Sequence, residues 1–163
     1  MNFDFQPMDL RSALSIVEWE YPPPYEEYNL YGSPLALLRM LEGEYFAAFA
    51  GEVLMGFICF GRAAQLVEER DHDLYQEPYL DLGLGMHPQW CSKGLGTAFV
   101  GRALEFAGQF WPGGFRLTVA SKNLRAMKVY SRLGFREVGR INAGFLVMIR
   151  DNPGQAEPGS GDG

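Results

Sequence analysis

The chain has little cysteine and little histidine. Only two of each occur among its 163 residues, and Cys59 and Cys91 show no metal-binding spacing. The sequence therefore indicates neither a disulfide framework nor a metal centre. Cys59 lies inside an apolar run, and we expect it to be a small buried hydrophobic residue.

Long apolar runs are also missing. The apolar run at residues 53–60 is much shorter than the roughly 20 residues that span a bilayer. Asp4 and Asp9 interrupt the segment where a signal peptide would be apolar. We therefore expect a cytoplasmic protein with no membrane partner.

Positive charge is in the minority. Lys and Arg number 14 against 20 Asp and Glu, which gives a net charge of −6. This balance argues against a nucleic-acid partner and favours a cationic acceptor. The length and the hydrophobic content of 47% predict one globular domain at residues 1–150. The tail at residues 151–163 is rich in Gly, Pro and acidic residues, and we expect it to be disordered.

A glycine-rich loop is the most informative feature that is present. Residues 79–86 form an apolar run typical of a strand, His87-Pro88 ends it, and the small residues of 91–96 precede an amphipathic helix. A loop of this kind presents free N–H groups and the positive end of the helix dipole, which suits a pyrophosphate. The alternative is a tight strand-to-helix turn with no ligand.

Two known phosphate signatures do not fit this loop. Lys93 precedes Gly94, which breaks the P-loop pattern, and Pro88 stands where a dinucleotide fingerprint starting at Gly83 would need its helix.

A second motif follows the strand predicted at residues 115–120. It runs Asn123-x-x-Ala126-x-x-x-Tyr130-x-x-x-Gly134-Phe135. Asn123 is a suitable N-cap for a helix at residues 124–133, and Gly134 a suitable C-terminal residue. Ala126 and Tyr130 are four residues apart and share one face of that helix.

Together the two segments resemble the GNAT superfamily of N-acetyltransferases, which use acetyl-CoA. The family's later motif, NxxAxxxYxxxGF, is matched at every named position. Its earlier motif, [RQ]xxGxG[AS], is matched at Gly94 and Gly96, but Cys91 replaces the Arg or Gln and Thr97 the small residue. Since backbone amides do most of the pyrophosphate binding in the family, the resemblance implies that Cys91 weakens the site without abolishing it. It is strong over residues 79–140 and elsewhere rests on element order.

The element order predicted from the sequence agrees with the fold that the resemblance implies. That fold is of the α/β (mixed α+β) class, with a mostly antiparallel sheet of about seven strands, splayed between strands 4 and 5, and about four helices. We predict strands at 2–6, 44–50, 53–61, 79–86, 115–120, 135–141 and 144–150, and helices at 9–18, 34–41, 94–110 and 124–133. Gly83 and Gly85 inside a strand predict a bulge or a ligand near the backbone, with close packing against a neighbouring helix as the alternative.

The resemblance also implies the site. Acetyl-CoA would lie in the splay like an extra strand, and backbone N–H groups of 84–86 would polarise the thioester carbonyl. Tyr130 would be the general acid for the departing thiolate, the alternative being a packed core tyrosine. The expected cofactor-binding residues are Leu84, Gly85, Met86, Cys91, Ser92, Lys93, Gly94, Leu95, Gly96, Thr97, Asn123 and Tyr130.

The general base is left with several candidates. Asp81 lies on the fourth predicted strand and is either catalytic or solvated at an edge. Glu20, Glu26 and Glu27 belong to an aromatic segment, residues 19–31, that the family's layout places over the acceptor and that suits a cation held over rings or a structural cap. His72 and His87 are weaker candidates.

Three functions are compatible with these observations. The first is an acetyl-CoA-dependent N-acetyltransferase in which a primary amine, on a small molecule or a peptide, attacks the thioester directly. The second is a non-catalytic acyl-CoA-binding regulatory module, favoured by Cys91 and disfavoured by Tyr130. The third is an enzyme that binds another nucleotide, for which no carboxylate follows the next strand. We expect a monomer or homodimer with no metal and no nucleic acid.

Overall fold

A computed structural model of the chain describes residues 1–152. It contains seven strands and four α-helices in the predicted order. The strands are β1 (Asp4–Pro7), β2 (Tyr45–Ala50), β3 (Val53–Phe60), β4 (Leu80–Met86), β5 (Phe115–Ala120), β6 (Arg136–Ile141) and β7 (Phe145–Arg150). The helices are α1 (Leu10–Ile16), α2 (Pro34–Met40), α3 (Gly96–Gly108) and α4 (Leu124–Arg132).

The strands form one mixed sheet in the order β1-β2-β3-β4-β5-β7-β6. All neighbouring strands are antiparallel except β4 and β5, which are parallel. This parallel pair is joined at only two positions, Leu80↔Phe115 and Asp81↔Arg116. Beyond them the two strands diverge, as the family resemblance implied, and this confirms the fold class.

The helices cover the sheet in two separate clusters. The main core packs α3 and α4 against the sheet and includes Phe99, Leu82 and Met148. A second cluster packs α1 and α2 around Ile16 and Met40. Apolar side chains buried between the helices and the sheet therefore stabilise the sheet. Helices α3 and α4 border the gap between β4 and β5.

The glycines of β4 fit the predicted alternative of close packing, with no bulge towards β3. The register between β3 and β4 is continuous, so the predicted bulge is absent from this pair. A Cβ on Gly83 would lie 2.7 Å from Cys59 Sγ, and one on Gly85 would overlap the Phe57 ring. Close packing therefore requires glycine at both positions, against side chains of β3 and, for Gly83, also against Ala64 Cβ at 3.2 Å. Both glycines also line a cavity, so a ligand near their backbone stays a prediction.

The described part of the chain extends two residues past the predicted domain boundary at residue 150. The Tyr79 hydroxyl donates to Asp151 Oδ1 at 2.7 Å, and Arg136 Nη1 pairs with Asp151 Oδ2 at 3.0 Å. Asn152 Nδ2 donates to Pro112 O at 2.7 Å. Residues 151 and 152 of the predicted tail thus make side-chain contacts with the domain, and the prediction of disorder for residues 153–163 lies outside the described part of the chain.

Candidate active site

The divergence of β4 and β5 opens a cleft of about 710 Å³. Leu80 N donates to Gly114 O on the β5 side, whereas His87 N donates to Met55 O on the β3 side. Because peptide groups alternate along a strand, those of Leu84 and Met86 face the cleft. The cleft therefore has a strand edge on one wall that β5 does not reach.

The predicted glycine loop forms one end of the cleft. Ser92 and Gly94 have positive φ angles of +60° and +77°, which turn the loop back towards the start of α3. Leu95 precedes the helix and makes no side-chain cap, so the first N–H groups of α3 have no cap of that kind. Among the predicted cofactor residues, all line the cleft except Lys93 and Leu95, which contribute backbone to the loop.

The second motif is explained by the two ends of α4. Asn123 Oδ1 accepts from Ala126 N at 3.1 Å, which confirms the predicted N-cap. At the other end Phe135 N donates to Tyr130 O, Gly134 N donates to Ser131 O, and Gly134 has φ of +93°. These bonds make a Schellman motif. The rings of Tyr130 and Phe135, whose centroids are 6.1 Å apart, supply its hydrophobic contact. The motif thus fixes the length and the rotation of α4.

Tyr130 lies at the wall of the cleft. Its side chain is buried but belongs to the cleft lining, and within residues 1–152 no hydrogen bond to its hydroxyl is formed. Burial raises the pKa of Tyr130 above its ordinary value of 10.0. The hydroxyl therefore carries its proton at neutral pH, on a residue that lines the cleft.

Asp81, the predicted general base, does not line the cleft. It is 3% exposed, and Arg116 holds it in a two-pronged ion pair, Nε to Oδ1 and Nη2 to Oδ2, each at 2.7 Å. Gln65 Nε2 donates to the same carboxylate at 2.8 Å. With both oxygens engaged away from the cleft, Asp81 is a structural residue at the closed end of the splay.

The aromatic segment, residues 19–31, crosses the cleft itself. The Tyr21 hydroxyl donates to Met86 O at the end of β4 at 2.8 Å, and Asn123 Nδ2 at the start of α4 donates to Tyr28 Oη at 3.0 Å. The family's layout placed this segment over the acceptor, and in the structure it also spans the walls of the predicted cofactor site. Nothing in its sequence indicated these two partners, because they are 65 and 95 positions away in the chain.

The remaining candidates for the general base differ in whether they line the cleft. Glu27 lines the cleft and is the only acidic side chain among the described residues that does so. His72 and His87 each accept a backbone N–H two residues ahead, from Leu74 and Gln89, and neither lines the cleft. Burial lowers the pKa of His87 below its ordinary 6.5, which keeps its ring neutral.

Residues 1–152 contain no helix long and apolar enough to cross a membrane. In the same range no group of three or more His, Cys, Asp or Glu side chains is placed to hold a metal ion.

Known proteins match both the sequence and the fold. The profile of the Acetyltransferase (GNAT) family matches residues 12–135. An uncharacterised N-acetyltransferase of Methanocaldococcus jannaschii is 27% identical over 115 residues, which are 70% of this chain and 48% of that protein. The chain thus spans about half the length of this curated relative.

Solved structures of low sequence identity share the fold. A spermidine N-acetyltransferase chimera from Vibrio cholerae has a TM-score of 0.68 at 17% identity, over 93% of this chain and 96% of that one. The PaiA N-acetyltransferase of Thermoplasma acidophilum, solved with coenzyme A, has a TM-score of 0.64 at 17% identity, over 93% of this chain and all of that one. The family profile covers most of this chain, both motifs and both walls of the cleft, and the chain therefore belongs to the GNAT acetyltransferase family, whose co-substrate is acetyl-CoA.

Proposed function

We propose that this protein transfers the acetyl group of acetyl-CoA to a primary amine by direct attack of the amine on the thioester. The observation that carries the proposal is the two-position pairing of β4 with β5, which leaves a cleft with an uncapped helix N-terminus at one end and Tyr130 among its lining residues. Membership of the family supports the same conclusion. We further propose that residues 1–152 act as one domain.

The cofactor would lie along the cleft in an extended form. Its pyrophosphate would accept hydrogen bonds from the amides of residues 92–97, where helix-dipole and N–H groups favour an anion. Its pantetheine arm would run beside the cleft-facing peptide groups of Leu84 and Met86, as an added strand. Asn123 would contact this arm or a water beside it through its amide, which now bonds Tyr28.

The chemistry requires two proton movements. The neutral amine forms a C–N bond with the acetyl carbon while the cleft-facing N–H groups of Leu84 and Met86 would stabilise the carbonyl oxygen. The C–S bond then breaks as the carbonyl re-forms, the thiolate of CoA takes the proton of Tyr130, the nitrogen gives up its extra proton to water, and water returns a proton to the Tyr130 phenolate. Tyr130 is the candidate for this task because it holds its proton at neutral pH and lines the cleft, and it stands at the tyrosine of the family's motif.

Glu27 takes the place that the sequence prediction gave to Asp81. Glu27 lines the cleft, and a carboxylate at this position would attract an alkylammonium and pass its proton to water. A Glu27→Gln variant should therefore raise the KM for the amine more than it lowers kcat.

The acceptor class is supported by charge and by analogy. The chain carries a net charge of −6, and Trp19, Tyr21 and Tyr28 line the cleft beside Glu27, an arrangement that suits a cation over aromatic rings. One structural neighbour is a spermidine acetyltransferase. Both a small amine and a peptide amine meet these requirements.

A non-catalytic acyl-CoA-binding module is the second candidate, because Cys91 stands where the family carries Arg or Gln. Thermal-shift measurements with acetyl-CoA, CoA, ATP and NAD, followed by release of free CoA thiol with a panel of primary amines, separate the possibilities. Stabilisation by acetyl-CoA with amine-dependent thiol release supports the enzyme. Stabilisation without release from any amine supports the module, and stabilisation by ATP or NAD alone contradicts both.

A further inference from the structure

The glycine loop lacks the side-chain cation or amide that its motif carries at the first position. Cys91 occupies that position, and burial raises the pKa of its thiol, which keeps the side chain neutral. Lys93 is in the loop but does not line the cleft. A bound pyrophosphate would therefore meet backbone amides here but no charge from the loop.

Arg125, at the second position of α4, reaches across to this loop. Its Nη1 donates to Ser92 Oγ at 2.7 Å, and its guanidinium also lies close enough to Cys91 to oppose the effect of burial on the thiol pKa. Arg125 itself lines the cleft. The charge missing at position 91 is thus present beside it, delivered by another element.

Two features hold this guanidinium ready for an anion. The central carbon of the Arg125 guanidinium lies 4.2 Å from the centre of the Tyr25 ring. This contact with the aromatic segment restricts the Arg125 side chain before a ligand binds, so less conformational entropy is lost on binding. No carboxylate within residues 1–152 forms an ion pair with Arg125, whereas Arg116 and Arg136 each have one. An unpaired, oriented guanidinium in a cleft matches the paired oxygens of a diphosphate.

We propose that Arg125 binds the pyrophosphate of acetyl-CoA and replaces, from α4, the side chain that the loop lacks at Cys91. This inference rests on the proposed function, since it assumes that the cleft takes the cofactor. It also gives the aromatic segment a second role, because Tyr25 then supports a cofactor-binding side chain as well as covering the cleft.

The test compares the affinity of four variants for CoA and for 3′-dephospho-CoA by calorimetry. Arg125→Ala should weaken both ligands by the same factor, roughly 10- to 100-fold, because both keep the pyrophosphate. The difference from wild type should shrink as salt is added. Cys91→Arg in the Arg125→Ala background should restore most of the affinity, and Tyr25→Leu should cost less than Arg125→Ala. Lys122→Ala, which removes the same charge from an exposed residue outside the cleft lining, is the matched control.

Several outcomes would overturn the inference. If Arg125→Ala binds both ligands as tightly as wild type, the inference is wrong. It is also wrong if only the affinity for CoA falls, because that loss would assign Arg125 to the 3′-phosphate. A loss that Cys91→Arg does not restore and that Tyr25→Leu reproduces in full would reduce Arg125 to a clamp for the aromatic segment. If the wild-type protein bound neither ligand, the proposed function itself would fail. If wild type and Arg125→Ala bound equally well, only the role of Arg125 would fail.

Discussion

Tyr130 shows how one side chain can meet a packing need and a chemical need together. Its ring contacts Phe135 in the C-terminal motif of α4 and belongs to the main core, and the same residue lines the cleft. The two alternatives weighed from the sequence, core tyrosine and general acid, are therefore compatible. Substitutions that keep the ring separate them.

Tyr130→Phe should leave the fold and CoA affinity close to wild type. Loss of the proton donor should lower kcat by about 10²–10⁴, with little change in the KM for acetyl-CoA. Steady-state kinetics under conditions where chemistry limits the rate provide the measurement. A near-normal kcat would leave protonation of the thiolate to water and return Tyr130 to a purely structural role.

Asp81→Asn should act on stability instead of on the chemical step. Arg116 is 2% exposed, and removing the charge of its partner leaves a buried guanidinium poorly compensated, at a cost of about 3–5 kcal/mol. Chemical denaturation gives this loss, and kcat measured on folded protein at low temperature should stay within a few-fold of wild type. A variant of normal stability with a kcat lowered a hundredfold would restore Asp81 to the catalytic machinery.

At the scale of elements, α3 and α4 meet at the cofactor loop. A Cβ on Gly96 would lie 3.0 Å from Val129 Cγ2, so this glycine lets the two helices approach as well as leaving room for a ligand. Its two possible roles, helix packing and phosphate access, can be separated by changing both residues.

Gly96→Ala should weaken CoA binding and also lower stability, because the added methyl meets both Val129 and the ligand. Adding Val129→Ala makes room for the methyl on the helix side. If the pyrophosphate approaches the loop closely, the double variant stays weaker for CoA than Val129→Ala alone, by calorimetry. Equal affinities for these two proteins would move the pyrophosphate away from Gly96.

At the scale of the whole molecule, one buried guanidinium organises a large part of the chain. Arg116 donates to Leu74 O, Tyr75 O and Glu77 O as well as to Asp81. It thereby attaches the segment between β3 and β4, predicted only as a charged loop, to the sheet where β4 and β5 still pair. The same contact closes one end of the cleft, so fold and site share it.

The protein should lose stability at alkaline pH. Burial raises the pKa of Cys59 to about 12 and also raises those of Tyr21, Tyr45 and Tyr130. Each group ionises more easily in the unfolded chain, so its contribution is complete below the unfolded pKa, about 9 for Cys and 10 for Tyr. It is lost as the pH rises towards the folded value. Urea denaturation at pH 8, 9.5 and 11 should show a falling free energy of unfolding, and an unchanged value at pH 11 would contradict this assignment.

Local patterns carried much of what could be predicted. The residue patterns of the strands, the caps of α4 and the glycine loop depend on neighbours a few residues away. They can therefore be recognised in the sequence without knowledge of the fold. The observed bounds of the strands and helices accordingly agree with the predicted bounds to within about two residues at each end. The family resemblance supplied the splay between β4 and β5, which local pattern alone does not determine.

The sequence by itself determined the order of the elements, the phosphate-type loop and the motif that ends in Gly134-Phe135. Tertiary structure decided the rest: that Asp81 pairs with Arg116 instead of facing a substrate, that Phe57 and Cys59 require the glycines of β4, and that Tyr21, Tyr28 and Arg125 converge on the cofactor cleft. The physical reason is range. A cap or a turn is an interaction over a few residues and leaves its pattern in the chain, whereas a buried ion pair or a cleft wall joins residues 33 to 95 positions apart, and only the folded sheet brings them together.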